Sequence, residues 1–285
     1  MPSFGLGEGI FWPKRRHLRG QEMPFVLPRR SSLRRKTSIP LALRLLFSNF
    51  ANDFMANDYF QFKQFTIHQG RCAMKVGTDG TLLGAWASPL QLGGGLILDV
   101  GTGTGLIALM MAQRFPEAQV VGIDIDEETV IQARENVAAS PFADRIEILH
   151  EDFIAPFSIL NYQFSIIVSN PPYFADSLKS PDAQRTLARH ADTLPYRLLM
   201  QRSWELLSDE GELSVVVPAD YKGQMEAEAA LAGFFKSREC AVKTSPRKMP
   251  KRWLLAFRKH PAPLERDELT LGTERCNELT KDFYL

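Results

Sequence analysis

The sequence predicts an α/β fold in which helices cover a mostly parallel sheet. Three observations point there. An apolar strand, Leu96–Val100, runs into Gly101-Thr102-Gly103-Thr104-Gly105 and then into a helical stretch over 106–115. Two further strands, over 120–124 and 145–153, end in acids and bracket a helix over 127–138. A fourth strand, over 164–168, stops against Asn170-Pro171-Pro172. Strands alternating with helices make parallel βαβ units, and such sheets bind ligands at the carboxyl ends of their strands.

The 285 residues suffice for one large domain or two small ones with a real core. Hydrophobic content of 45% and charged content of 24% are ordinary for a globular protein. No apolar run reaches the length of a membrane span. Cys72, Cys240 and Cys276 are odd in number and scattered, which argues against a disulfide framework and a zinc site. A reducing, cytoplasmic setting and no metal are expected.

The near-neutral charge hides an asymmetry. Residues 1–54 carry ten Lys/Arg against three Asp/Glu, a net +7, and the remainder carries 24 against 30, a net −6. Any nucleic-acid contact by the body of the chain must therefore come from a local patch. Residues 1–56, with their prolines, glycines and clustered arginines, read as a basic extension and 57–285 as the folded domain. The extension fits an Arg-rich targeting peptide, an RNA-binding tail, or sequence upstream of a start at Met55. The last is preferred, and a chain begun at Met55 is expected to fold and act normally.

From residue 58 the chain is aromatic and alternating, Asp58-Tyr59-Phe60-Gln61-Phe62-Lys63-Gln64-Phe65, which suits a strand or a pocket cover. Arg71-Cys72-Ala73-Met74-Lys75-Val76-Gly77-Thr78-Asp79-Gly80-Thr81 follows, with turn chemistry at its glycines. Thr81 is placed to cap a helix over 82–87. Lys75, Thr78 and Asp79 are candidate ligand contacts, although Lys75 and Asp79 would equally serve as a solvated pair.

The glycine loop at 101–105 lets the backbone turn tightly and approach a ligand. Its spacing is G-x-G-x-G, with Leu106 where a dinucleotide fingerprint has its third glycine, so NAD is disfavoured. Asp99, entering the loop, suits a ligand bearing an amine and a sulfonium better than a pyrophosphate. Asp124, nineteen residues beyond Gly105 and followed by Ile125, stands where an acid binds ribose hydroxyls. Glu151 and Asp152 end the third strand; Asp152 could accept an adenine amino group with Phe153 beside the ring.

The fourth strand must end at its prolines, which lack an N–H and fix φ, and the residue before each is held extended. The resulting corner suggests methyl transfer to a planar amino or amide nitrogen. Such a nitrogen is a poor nucleophile because its lone pair is delocalised. The side-chain oxygen of Asn170 and the carbonyl of Pro171 can accept both of its hydrogens, and Tyr173 can stack on the flat substrate. Pro172 completes the corner. A plain Asn-Pro turn would look the same in isolation.

Beyond the corner, Lys179, Arg185, Arg189 and His190 lie on a polar stretch that could cover the pocket and hold a phosphate backbone, or form a solvated loop. Helices are expected over 194–207 and 222–235, and strands over 213–217, 238–244, 252–258 and 268–271. Lys243, Arg247, Lys248, Lys251 and Arg252 form the strongest basic cluster of the body, a candidate contact for an RNA backbone.

Taken together, the motifs resemble class I S-adenosylmethionine-dependent methyltransferases bearing N-P-P-[YF]. Within them the chain is similar to the bacterial tRNA (valine) adenine-N6 methyltransferase family. The resemblance rests on F-K-Q-F at 62–65, R-C-A-M-K-V-G-T-D-G at 71–80, N-P-P-Y at 170–173, A-R-H at 188–190 and the L-T-K-D-F-Y-L ending. It implies a Rossmann-like, seven-stranded sheet with helices on both faces and an antiparallel last strand. It implies S-adenosylmethionine as cofactor, held by the glycine loop with Thr102 and Thr104, by Asp99, Asp124 and Asp152, and bordered by Asn170. It further implies that a monomer acts, away from any membrane, on the adenosine 3′ of the anticodon, adenosine 37 of valine tRNA. Unpaired loop bases can be splayed into a pocket without opening a duplex. A protein glutamine-N5 methyltransferase would normally carry a helical N-terminal domain, which 1–60 does not supply. A ribosomal guanine-N2 methyltransferase would share the corner but not 71–80, and a non-catalytic RNA-binding module would not require Asn170, the glycines and three acids together.

Overall fold

The computed structural model describes residues 58–72, 75–88, 95–155, 162–172 and 194–285. All of them belong to one unit, Met55–Leu285. The chain opens with a hairpin of β1 (Tyr59–Gln61) and β2 (Thr66–His68). There follow α1 (Thr78–Trp86), β3 (Leu96–Val100), α2 (Leu106–Arg114), β4 (Gln119–Asp124), α3 (Glu127–Ala138), β5 (Ile146–His150) and β6 (Phe164–Ser169). The second half contributes α4 (Tyr196–Leu206), β7 (Leu207–Pro218), α5 (Lys222–Leu231), β8 (Phe235–Lys243), β9 (Arg252–Arg258), β10 (Glu265–Thr270) and α6 (Glu274–Thr280).

The central sheet has the order β10-β8-β9-β7-β6-β3-β4-β5. Seven of these strands form the expected sheet, in which β9, the seventh, runs antiparallel to both β7 and β8. The expected count is one short: β10 extends the edge parallel to β8. Crossover helices bury the parallel strands on both faces, which explains their continuous apolar runs. The hairpin, α1, α2 and α3 pack on one face, with Phe62, Leu83, Met110 and Val120 in the core. On the other, α4 and α5 pack over Leu98, Ile167, Val215 and Leu255.

Local chemistry sets the element ends. The Asp126 side chain accepts from the Thr129 amide and caps α3. Arg145 donates to the carbonyls of Ala112, Phe115 and Ala118, satisfying the carboxyl end of α2. At α1 the outcome differs from expectation. The helix begins at Thr78 with Gly77 as its cap residue, and Thr81 lies inside it, donating its hydroxyl to Gly77 O at 3.2 Å. The strand expected over 213–217 is longer than that: β7 takes in residues 207–212 as well, with a register shift opposite Phe164 and Ile166. Helix α6 has no counterpart among the expected elements: its seven residues are too few for an apolar repeat to show.

Candidate active site

Parallel pairing brings four strand ends to one edge. Val100 of β3 is opposite Ser169 of β6, and Asp124 of β4 is opposite His150 of β5. The glycine loop, Asp124, the 151–152 acids and the Asn170 corner are therefore neighbours along the carboxyl edge. Ser169 ties two of them together, its hydroxyl donating to Val100 O at 2.9 Å directly before Gly101. Pro171 is buried and Asn170 and Pro172 are half-buried, so the corner is wedged rather than projecting.

The glycine loop needs its glycines. Gly101, Gly103 and Gly105 have φ of 70°, 56° and 81°, a region that side chains rarely adopt. A Cβ at Gly101 or Gly103 would project into open space, the shape of a cradle that a ligand can approach. The amides of Gly101 and Thr102 both donate to Ile123 O at 2.9 Å. Gly122 leaves room beneath: a Cβ there would meet Thr102 Oγ1 at 2.8 Å and Ile148 Cδ1 at 2.6 Å.

Asp99 was expected to face the ligand. It is instead fully buried under the loop, where Oδ2 accepts from Thr102 Oγ1 at 2.7 Å and from the Ala108 amide at 3.1 Å. It thus fixes the loop to the first turn of α2. Its Oδ1 is buried and has no hydrogen-bond partner among the described residues. Burial pushes its carboxyl up from 3.8 to about 7; the Thr102 and Ala108 bonds oppose this and the Asp124 charge adds to it.

The consequence for stability has a definite sign. Folded Asp99 holds its proton more tightly than the unfolded chain does. Its contribution is complete below about pH 4 and is lost as the pH rises towards 7. Asp99→Asn can keep both bonds through its amide oxygen but cannot titrate. Relative to the parent protein, the variant should gain roughly 2 kcal/mol between pH 5.5 and pH 8. Parallel thermal melts of the two proteins check this, and a constant difference between them would refute it.

Asp124 is half-buried and bridges the site: Oδ2 accepts from the Gly103 amide at 3.0 Å and Oδ1 from the Asp126 amide at 3.1 Å. Burial raises its pKa against these backbone bonds. Ile125 is 47% exposed and its carbonyl meets His150 Nε2 at 2.9 Å. Asp152 Oδ1 accepts from the Ile154 amide at 2.9 Å, as a turn aspartate does, and Oδ2 has no partner among the described residues. Glu151 is half-buried. Phe153 departs from expectation: it is 5% exposed and packed into the core, and Arg202 holds the turn from below through the carbonyls of Phe153 and Ala155.

Cys72 lies against Asp124 and Asp126. The Cys72 thiol is pushed up to about 11 by burial, opposed by a hydrogen bond with Thr129 and reinforced by the charges of Asp124 and Asp126. Lys75 is exposed, and Thr78 opens α1. Asp79 and Arg252, expected to face cofactor and RNA respectively, meet each other: Arg252 Nε donates to Asp79 Oδ2 at 2.7 Å. Lys243 likewise pairs with Glu268 at 2.7 Å. Arg247, Lys248 and Lys251 are exposed. Tyr173, Lys179, Arg185, Arg189 and His190 lie outside the described residues.

One positioning residue escaped the sequence reading. Asn136 of α3, 1% exposed, donates to Thr104 O at 2.9 Å and His68 O at 2.8 Å, and accepts from the His68 amide at 2.8 Å. It clamps the hairpin to the glycine loop. An asparagine inside a helix, among Val130, Ala133 and Val137, was the available signal, because asparagine is a poor helix former.

Residues 85–248 match the Methyltransferase small domain family. The chain is 47% identical over 238 residues to the tRNA1(Val) (adenine(37)-N6)-methyltransferase of Bacteroides thetaiotaomicron, covering 81% of this chain and 99% of that protein. The protein of the same name from Phocaeicola vulgatus is 49% identical over 237 residues, with the same coverage. That of Trichodesmium erythraeum is 43% identical over 239 residues, again covering 81% and 99%. Among solved structures, a predicted O-methyltransferase from Agrobacterium tumefaciens shares the fold, with a TM-score of 0.56 at 19% identity over 72% of this chain and 96% of that one.

Proposed function

This chain belongs to the Methyltransferase small domain family and, within it, to the tRNA1(Val) (adenine(37)-N6)-methyltransferases, and from that membership we infer that it methylates N6 of adenosine 37 in valine tRNA. The observation that best supports this reading is the pairing of Val100 with Ser169, which sets the Asn170-Pro171-Pro172 corner beside the glycine loop.

Methyltransferase chemistry implies S-adenosylmethionine, and the residues present fit it. Backbone at Gly101 and Gly103 offers an open cradle, and Asp124 offers a carboxylate to ribose hydroxyls. Exposed Ile125 offers an apolar face to an adenine ring, and Asp152 Oδ2 an acceptor for its amino group. When bound, this cofactor supplies an electrophilic sulfonium methyl.

The chain's own residues do the rest. Asn170 Oδ1 and Pro171 O accept the two N6 hydrogens of the target and draw the nitrogen from planar towards tetrahedral, so that its lone pair points at the methyl. The carbonyl of Pro171 has no N–H beside it to compete, because Pro172 follows. The wedged corner holds both acceptors still, which supplies orientation without reorganisation during the reaction. No strong base is required, since the methylated nitrogen is acidic enough to lose its proton to water.

The test is methylation of bulk tRNA from a strain lacking the enzyme, followed by nucleoside mass spectrometry. N6-methyladenosine at position 37 of valine tRNA is expected. N2-methylguanosine in RNA, or methylated glutamine in protein, would overturn the reading.

A further inference from the structure

We propose that the loop joining β8 to β9 is the part of the enzyme that grips the tRNA backbone beside the target base, through Arg247, Lys248 and Lys251. This rests on the tRNA reading above and adds to it where the nucleic acid lies. β8 runs parallel to β7, so its end at Lys243 and the start of β9 at Arg252 both fall on the carboxyl edge that carries Asn170. Only β7 separates β9 from β6 in the sheet. Across the sheet, β9 thus lies two strand spacings, about 10 Å, from the strand that leads into the catalytic corner, and β8 lies three, about 15 Å.

The root of the loop is firmly held. The Lys251 amide donates to Val242 O at 2.9 Å, and the Ala219 amide donates to Lys251 O at 3.1 Å. The Lys248 amide closes a turn on Ser245 O at 3.1 Å. Arg252 donates to Asp79 at the start of α1 and to Lys251 O at 3.0 Å. Pro246 and Pro250 stiffen what lies between.

The cations divide into two groups. Lys243 and Arg252 are consumed by Glu268 and Asp79. Arg247, Lys248 and Lys251 are exposed, and among the described residues no carboxylate lies within ion-pair reach of them. Three uncompensated cations on a rigid loop stand out in a body of net negative charge. A polyanion whose charges repeat along a strand fits that display, and phosphate contacts of this kind position a nucleic acid without reading its sequence.

The test compares the full chain with its Arg247→Ser/Lys248→Ser/Lys251→Ser variant on valine tRNA across a salt series. The variant should raise KM by about 10- to 100-fold at moderate salt and leave kcat within about twofold. The slope of log affinity against log salt should become shallower by about 2, because each lost phosphate contact removes roughly 0.7–0.9. Binding of S-adenosylmethionine should not change, which shows the variant to be folded. If the parent methylates the tRNA and both proteins show the same salt slope, the loop assignment is wrong while the function stands. If the parent forms no N6-methyladenosine on any tRNA, the underlying reading fails and this proposal fails with it.

Discussion

Asn170→Ala is expected to slow methyl transfer by about 10³-fold while S-adenosylmethionine binds within about threefold of its parent affinity. Asn170 stands at the end of β6, beyond Ser169, whose hydroxyl is fastened to Val100 O. The glycine loop is held separately, by Ile123 O, Asp99 and Asp124. Removing the Asn170 side chain therefore takes away an acceptor for the reacting nitrogen without loosening the cradle. The loss concentrates in kcat because this acceptor matters most when the nitrogen turns tetrahedral. Single-turnover rates with an anticodon stem-loop, set beside calorimetric cofactor binding, separate the two effects. A variant that transfers at the parent rate, or that loses cofactor binding in proportion to its rate, would show that the corner is not the catalytic element.

How much of this was written in the sequence depends on the range over which each feature is determined. The glycine loop was readable because positive φ at three alternate positions selects glycine whatever lies elsewhere. Helix α3 was readable to its ends because Asp126 caps it locally and apolar residues recur along it. The corner was readable because two prolines can end a strand in few ways. Features set by distant partners were not readable. An acid entering a glycine loop looks the same whether it faces the ligand or, like Asp99, the helix below. Asp79 and Arg252 are 173 positions apart, so nothing local announces that each neutralises the other. Asn136 reads as one polar residue in a helix until the hairpin is folded onto it.

Glu212→Ala carries the largest expected cost in stability, and it separates what folds the protein from what catalyses. Glu212 lies on β7 opposite Ile166 of β6, whose own partner on β3 is Ile97, one residue from that strand's amino end. Its side chain is fully buried. Oε1 accepts from Arg238 and from Ser214 at 3.0 Å, and Oε2 accepts from Arg258 at 3.0 Å. Arg238 also stacks over Trp86, 4.1 Å from the ring centroid, and so joins α1 to the sheet. Truncating the carboxylate would leave two guanidiniums, only 16% and 14% exposed, facing each other without an anion. Removing one partner of a buried ionic cluster costs about 3–5 kcal/mol, because the charge that remains is desolvated and unpaired. For a domain of this size that corresponds to a fall of roughly 10–15 °C in melting temperature. At a temperature where the variant is still folded, its kcat should match the parent's, since none of these groups reaches the carboxyl edge. Thermal melts and rates at 15 °C measure both quantities. Melting unchanged within about 2 °C would mean that the arginines relax into solvent, and a slowed rate in the folded variant would mean that the amino-end cluster shapes the active edge after all.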